Sequence, residues 1–130
     1  MTSFVDTNVL IYAQGAGPKS DIARDVMLAG GVISVQVLNE FAAVLRRKLR
    51  QDWPGIAAAV ADVRAALDPV RPIGVETHEA GLALARDHGV GFYDALILAA
   101  ALEAGCDVLL SEDLQAGRRI GGLAIVNPFA

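Results

Sequence analysis

Short apolar runs alternate with longer stretches whose apolar residues recur every three or four positions, a pattern that predicts strands interleaved with helices. Ser3–Val5 reads as a strand running into Asp6-Thr7-Asn8, with a helical turn over Val9–Ala13. After the loop marked by Gly15, Gly17 and Pro18, Ser20 or Asp21 can cap a helix that lasts to about Ala29, where Gly30-Gly31 stops it. Val32-Ile33 is a short strand. The next helix, from Val35 to Arg50, is the most clearly two-sided: Val37, Leu38, Phe41, Val44, Leu45 and Leu49 share one arc, with Asn39, Arg46 and Arg50 opposite. Pro54-Gly55 breaks that pattern before an Ala-rich helix over Ile56–Leu67. Val70–Ile73 can form a strand that Pro72 would place at an edge or shorten. Thr77 can cap a helix to Asp87 with Gly89 just past its end, and Tyr93–Ala104 is a strongly apolar helix stopped by Gly105. Asp107–Leu110 and Leu123–Val126 are the last strands. The expected architecture is α/β, a three-layer α/β/α sandwich around a mainly parallel sheet, with residues 1–130 forming a single domain.

Composition narrows this. In 130 residues, 54% are hydrophobic but only 5% aromatic, so Ala, Leu and Val supply the packing, which suits helices laid on a sheet. The lone Cys106, in an apolar context, excludes an internal disulfide and points to a reducing compartment and a core role. No segment has the plan of a secretory signal, and the longest apolar run, Ala95–Leu102, is far short of a membrane span. These features predict a soluble, cytoplasmic protein with no membrane partner. A net charge of −4 argues against coating DNA non-specifically, yet bound cations can invert the local field.

The chemistry lies in four acids far apart in sequence: Asp6, Glu40, Asp94 and Asp113. In parallel α/β folds, ligands bind beyond the C-terminal strand ends, and Asp6 and Asp113 stand there. Asp94 falls in the first turn of its helix. Glu40 lies about 40° from Val44 at 100° per residue, on the border of the apolar arc. Each has a plainer reading: Asp94 favours a helix N-terminus, Ser111 and Asp113 form a turn that caps a helix near Leu114, and Glu40 is a boundary residue. Together, carboxylates would repel one another unless a hard cation joined them. Mg²⁺, or Mn²⁺, suits such oxygen donors and can activate water for displacement at phosphorus. Asn8 and Ser111, near Asp6 and Asp113, can hold the carboxylates by hydrogen bonds, though Asn8 also suits a helix cap. His78, His88 and Cys106 form no zinc pattern.

These segments resemble the PIN-domain ribonucleases, and in particular the toxins of VapBC-type toxin–antitoxin systems. The resemblance is carried by Phe4 to Tyr12, by Leu38-Asn39-Glu40-Phe41 through Lys48, by Tyr93-Asp94-Ala95-Leu96-Ile97, by Leu109 to Leu114 and by Val126-Asn127-Pro128-Phe129. It implies a Mg²⁺- or Mn²⁺-dependent endoribonuclease with Asp6, Glu40, Asp94 and Asp113 as its catalytic and metal-binding acids. It also implies a homodimer and a small antitoxin protein that inhibits by occupying the active-site groove. Glu112, adjacent to Asp113, leaves some ambiguity in the fourth acid, and spacing from Ser111 favours Asp113.

Arg47 lies within about 20° of Glu40 on the helix projection and roughly 10 Å along the axis, suited to hold an RNA phosphate. A solvated helix face is the plainer reading of the basic run to which it belongs, Arg46-Arg47-Lys48 with Arg50. Three rivals stand beside the ribonuclease. A phosphatase with an aspartyl nucleophile would want Asp where Asn8 stands, a PIN-like module could bind RNA or protein without cutting, and DNA could replace RNA as substrate.

Overall fold

The computed structural model describes residues 2–115 and 117–130. Strand β1 (Ser3–Val5) leads into helices α1 (Thr7–Ala13) and α2 (Pro18–Ala29). Next come β2 (Ile33–Ser34), α3 (Val35–Arg47), α4 (Trp53–Ala66), β3 (Val70–Arg71), α5 (Val75–His88) and α6 (Phe92–Glu103). The chain closes with β4 (Val108–Leu110), β5 (Arg119–Ile120) and β6 (Leu123–Val126).

The main sheet has the order β1-β4-β6-β5, parallel except where β5 turns back on β6. Strands β2 and β3 form a second parallel pair. A bridge between Phe4 and Val32 ties that pair to β1, with Val5 N–H donating to Val32 O (3.0 Å) and Val32 N–H to Ser3 O (2.9 Å). Helices flank this mainly parallel sheet in the expected α/β/α arrangement. Because both faces of its centre are covered, the strands bury mostly apolar residues: Phe4, Val5, Ile33, Leu109, Leu123 and Ile125 are all buried.

Several boundaries differ from the sequence reading, each for a local reason. Helix α1 starts at Thr7, capped by Asp6, so Asn8 lies inside the first turn rather than capping it. Helix α2 begins at Pro18, and α4 at Trp53 with Pro54 in its first turn, because a first-turn residue needs no backbone N–H for the helix ladder. Asp52 caps α4 by accepting from Gly55 N–H at 2.8 Å. Thr77 sits one turn further in than expected; its hydroxyl accepts from Gly74 N–H and donates to Glu103. Helix α3 stops at Arg47 rather than Arg50, which takes a positive φ of 54°, and Leu49 therefore leaves the apolar arc and is 49% exposed. Strand β5 was not anticipated; Gly121-Gly122 turns it into β6 as a two-residue hairpin.

Two glycines matter for the site. Gly89 ends α5 in the left-handed conformation (φ 67°), as expected of a residue past a helix. Gly81 lets α5 press on α6: a Cβ there would meet Leu96 Cδ2 at 2.8 Å. That close packing fixes the start of α6, where Asp94 projects.

Candidate active site

Asp6 is nearly buried, at 4% exposure, yet both its oxygens are held. One accepts the Thr7 N–H at 2.7 Å. The other accepts the Ser111 hydroxyl at 2.7 Å and the Asn8 side-chain amide at 3.3 Å. Strands β1 and β4 are parallel neighbours with Val5 opposite Leu110, so Asp6 and Ser111 leave the sheet side by side.

The fully buried Ser111 is the hub. Its Oγ donates to Asp6 and accepts from Asn8 Nδ2 (3.2 Å), Asp113 N–H (3.2 Å) and Leu114 N–H (3.3 Å). Asn8 completes the loop: its amide also reaches Asp113 Oδ2 at 3.3 Å, and its Oδ1 accepts from Glu112 N–H at 3.1 Å. The turn at Ser111 and Asp113 is thus real, but residues 112–114 form a bend, not the start of a helix. Ser111→Ala is expected to leave the Leu114 N–H buried without its acceptor and to cost about 1–3 kcal/mol in denaturant unfolding. It should also displace Asp6 and Asp113 and slow any reaction that needs them.

The neighbouring acid, Glu112, points to different partners. Its carboxylate takes the Tyr12 hydroxyl and the Lys19 ammonium, each at 2.6 Å, and those two bonds hold it below the usual Glu range. Tyr12 is braced from behind by Phe129, ring centroids 4.8 Å apart. Between the two adjacent acids, Asp113 is the one left to face the other carboxylates.

The four acids from β1, α3, α6 and the loop after β4 feel one another. Burial pushes Asp6 up to about 6, against the pull of Ser111 and Thr7, with Glu40 and Asp94 adding repulsion. Half-buried Glu40 is raised by burial, with Asp94 and Asp113 adding repulsion; a 3.0 Å bond from Gln36 works against the rise. Asp94 is raised by burial and then by Asp113. Among the described residues, none of the three forms an ion pair.

Thr7, absent from the sequence reading, belongs with them. Its hydroxyl is buried and makes no hydrogen bond among the described residues, while its dipole lies close enough to Glu40 to oppose that rise. Its place between Asp6 and Asn8 was the available signal. The basic run contributes differently from expectation: Lys48 lines the hollow that holds Glu40 and Asp113, whereas Arg47 is exposed and is not part of its wall. A larger hollow of about 710 Å³, between α2 and Gly30–Val32, contains none of the four acids.

Among the described residues, no three Asp, Glu, His or Cys side chains stand close enough to chelate one ion as they are. The donor set nonetheless fits a hard divalent cation. Such an ion takes oxygen ligands, needs only one or two carboxylates and keeps much of its water. Mutually repelling acids around a buried carboxylate, with an orphaned hydroxyl beside them, gain from a hydrated positive charge. No described helix is long and apolar enough to cross a membrane.

A family model, the PIN domain, matches residues 3–121. No curated protein sequence matches the chain. Among solved structures, a toxin–antitoxin complex from Klebsiella pneumoniae is similar at 22% identity and TM-score 0.71, covering 98% of both chains. VapBC2 from Rickettsia felis, bound to a DNA fragment from its promoter, is similar at 20% identity and TM-score 0.71, covering 96% of this chain and 97% of that one. Mycobacterium tuberculosis VapC20, a sarcin-ricin loop cleaving toxin, is similar at 21% identity and TM-score 0.69, covering 86% and 90%. With the family model spanning nearly the whole sequence, the chain belongs to the PIN-domain family.

Proposed function

We propose that this protein is a Mg²⁺- or Mn²⁺-dependent endoribonuclease, the cytoplasmic toxin of a toxin–antitoxin pair. The observation that carries the reading is the convergence of Asp6, Glu40, Asp94 and Asp113 at the C-terminal edge of the sheet. Three of them hold their protons more tightly than free carboxyls do. The similarity to VapBC complexes supports a cognate antitoxin as partner, and a homodimer belongs to the same proposal.

Of Asp6, Asp94 and Asp113, one or two would hold the cation directly and the rest through its water, with Glu40 beside it. When bound, a divalent ion supplies a more acidic water and neutralises charge gathering on the phosphate. The chain's own groups do the rest. Ser111, Asn8 and the Thr7 N–H fix Asp6 in one rotamer, so its charge is in place before substrate arrives. Glu40, half-buried and with its proton affinity already raised, accepts the proton from the attacking water. That water's oxygen bonds to phosphorus while the bond to the 3′-oxygen breaks, and the 3′-oxygen leaves as an alkoxide that takes a proton from solvent water to become the 3′-hydroxyl. The Thr7 hydroxyl, without a hydrogen-bond partner among the described residues, can donate toward the water or a phosphate oxygen.

Mapping the ends of RNA fragments made by the purified protein tests this. Fragments with 5′-phosphate and 3′-hydroxyl ends, formed only with Mg²⁺ or Mn²⁺, are the expected result. Ends bearing a 2′,3′-cyclic phosphate would contradict the mechanism, and RNA bound but uncut in every metal would make the protein a binding module. An aspartyl-phosphatase reading gains nothing from the site: both Asp6 oxygens are engaged by donors, and Asn8 stands where a second Asp would be needed.

A further inference from the structure

The acid site opens on two hollows, and Asp113 lines both. The larger, about 320 Å³, lies between α1 and α3. Ile11, Tyr12 and Val44 give it apolar walls beside Glu40 and Asp113, and Lys48 stands at the end of α3. The smaller, about 180 Å³, lies on the other side of Asp113, where Asp94, Leu114 and Arg118 line it.

The two hollows differ in chemistry. Three carboxylates, Glu40, Glu112 and Asp113, line the larger one and disfavour a phosphate, whereas the apolar patch of Ile11, Tyr12 and Val44 among them suits a flat, unstacked base. Its Tyr12 wall is rigid: the hydroxyl is bonded to Glu112, the ring packs against Phe129, and Lys19 lies 5.0 Å from the ring centroid. The smaller hollow instead offers a cation. One Arg118 nitrogen donates to the His88 carbonyl at 2.7 Å, which anchors the guanidinium. Among the described residues Arg118 forms no ion pair, although Asp94 and Asp113 line the same hollow. Its remaining donors suit a phosphate. A base on one side and a phosphate grip on the other, with Asp113 between them, describe the track of a strand.

Resting on the ribonuclease reading above, we propose that unpaired RNA crosses the site over Asp113, one base beside the cut lodging in the α1–α3 hollow and a phosphate on the far side bonding Arg118. A paired base cannot splay into such a hollow, so the base that it takes must be unpaired.

Two variants test the track. Val44→Phe, at a partly buried position, narrows the base hollow. It should change the cleavage-site preference seen by fragment sequencing and raise KM for the preferred site about tenfold, with kcat altered less. Arg118→Gln should weaken binding of a short single-stranded RNA and lower the slope of log Kd against log salt by about 0.7, as expected when one phosphate contact is lost. Arg118→Lys should restore the slope. Binding is measured in Mg²⁺ on the Asp94→Asn background, so that turnover does not intervene, and melting curves confirm folding. An unchanged preference and KM in Val44→Phe, or an unchanged salt slope in Arg118→Gln, overturns the track. If the wild-type protein cuts no RNA, the ribonuclease reading fails, and the Arg118 binding result alone then decides the track.

Discussion

Asp6→Asn is expected to lower RNA cleavage by at least about 10²–10³-fold, the cost typical of removing one preorganised charged or polar element from an active site. The fold should survive it. Asp6 is the only acid of the four with both oxygens committed inside the protein, and its burial leaves the carboxylate nowhere else to turn. Asparagine is the same shape and still accepts the Thr7 N–H. Its amide, however, faces the Ser111 hydroxyl and the Asn8 amide, a meeting of donors where an acceptor stood. The substitution thus exchanges relief from Glu40 and Asp94 for one poorly satisfied contact, and the metal-free melting temperature at neutral pH should move by only a few degrees. Asp94→Asn makes the cleaner comparison, because Asp94 forms no side-chain hydrogen bond among the described residues and is raised by burial and by Asp113. It should also abolish cleavage, while its metal-free melting temperature rises. A clear loss of melting temperature in both variants would make these acids structural and sink the catalytic assignment.

Why these acids were legible in the sequence, while much of their support was not, follows from the range of each interaction. Asp6 and Asp113 betray themselves because each lies just beyond a short apolar strand, Asp6 directly after β1 and Asp113 past Ser111 after β4, and parallel α/β architecture concentrates ligand chemistry at strand ends. Glu40 is legible from the 3.6-residue repeat that buries Val37, Phe41 and Leu45 and leaves it on the border. Contacts across the fold carry no such period. Lys19 meets Glu112 across 93 positions, and Arg118 meets the His88 carbonyl across 30, pairings that only the packed topology creates. Leu49 was misplaced because apolar periodicity persists past the point where α3 stops. Strand β5, with two residues, is too short for any alternation, and only the Gly121-Gly122 turn announces it. Thr7 was overlooked because a Thr inside a short apolar helix is usually unremarkable; its missing hydrogen bond shows only in three dimensions.

The second large effect is a pH dependence whose sign separates the metal-free from the metal-loaded protein. Asp6 titrates near 3.8 in an unfolded chain and at about 6 in the fold, so the folded state binds its proton more tightly. The stability associated with that proton is fully present below pH 3.8 and is lost as pH rises through about 6. The displacement corresponds to about 3 kcal/mol, and Glu40 and Asp94, raised in the same direction, add to it. Metal-free protein should therefore grow more stable as pH is lowered from 7.5 toward 4.5, until the titration of carboxylates elsewhere reverses the trend. A divalent cation competes for the same sites and needs them deprotonated. Saturating Mg²⁺ at pH 7.5 should raise the melting temperature, by mass action on the folded state alone, and that gain should fade as pH drops below about 6. Asp6→Asn should flatten both curves, since it removes the most displaced proton and one carboxylate together. Thermal melts at a series of pH values, with Mg²⁺ or with chelator, make the comparison. If the metal-free protein instead loses stability steadily from pH 7.5 to 5.5, the acids are not crowded as their geometry requires. A Mg²⁺ gain as large at pH 5 as at pH 7.5 would place the ion away from Asp6.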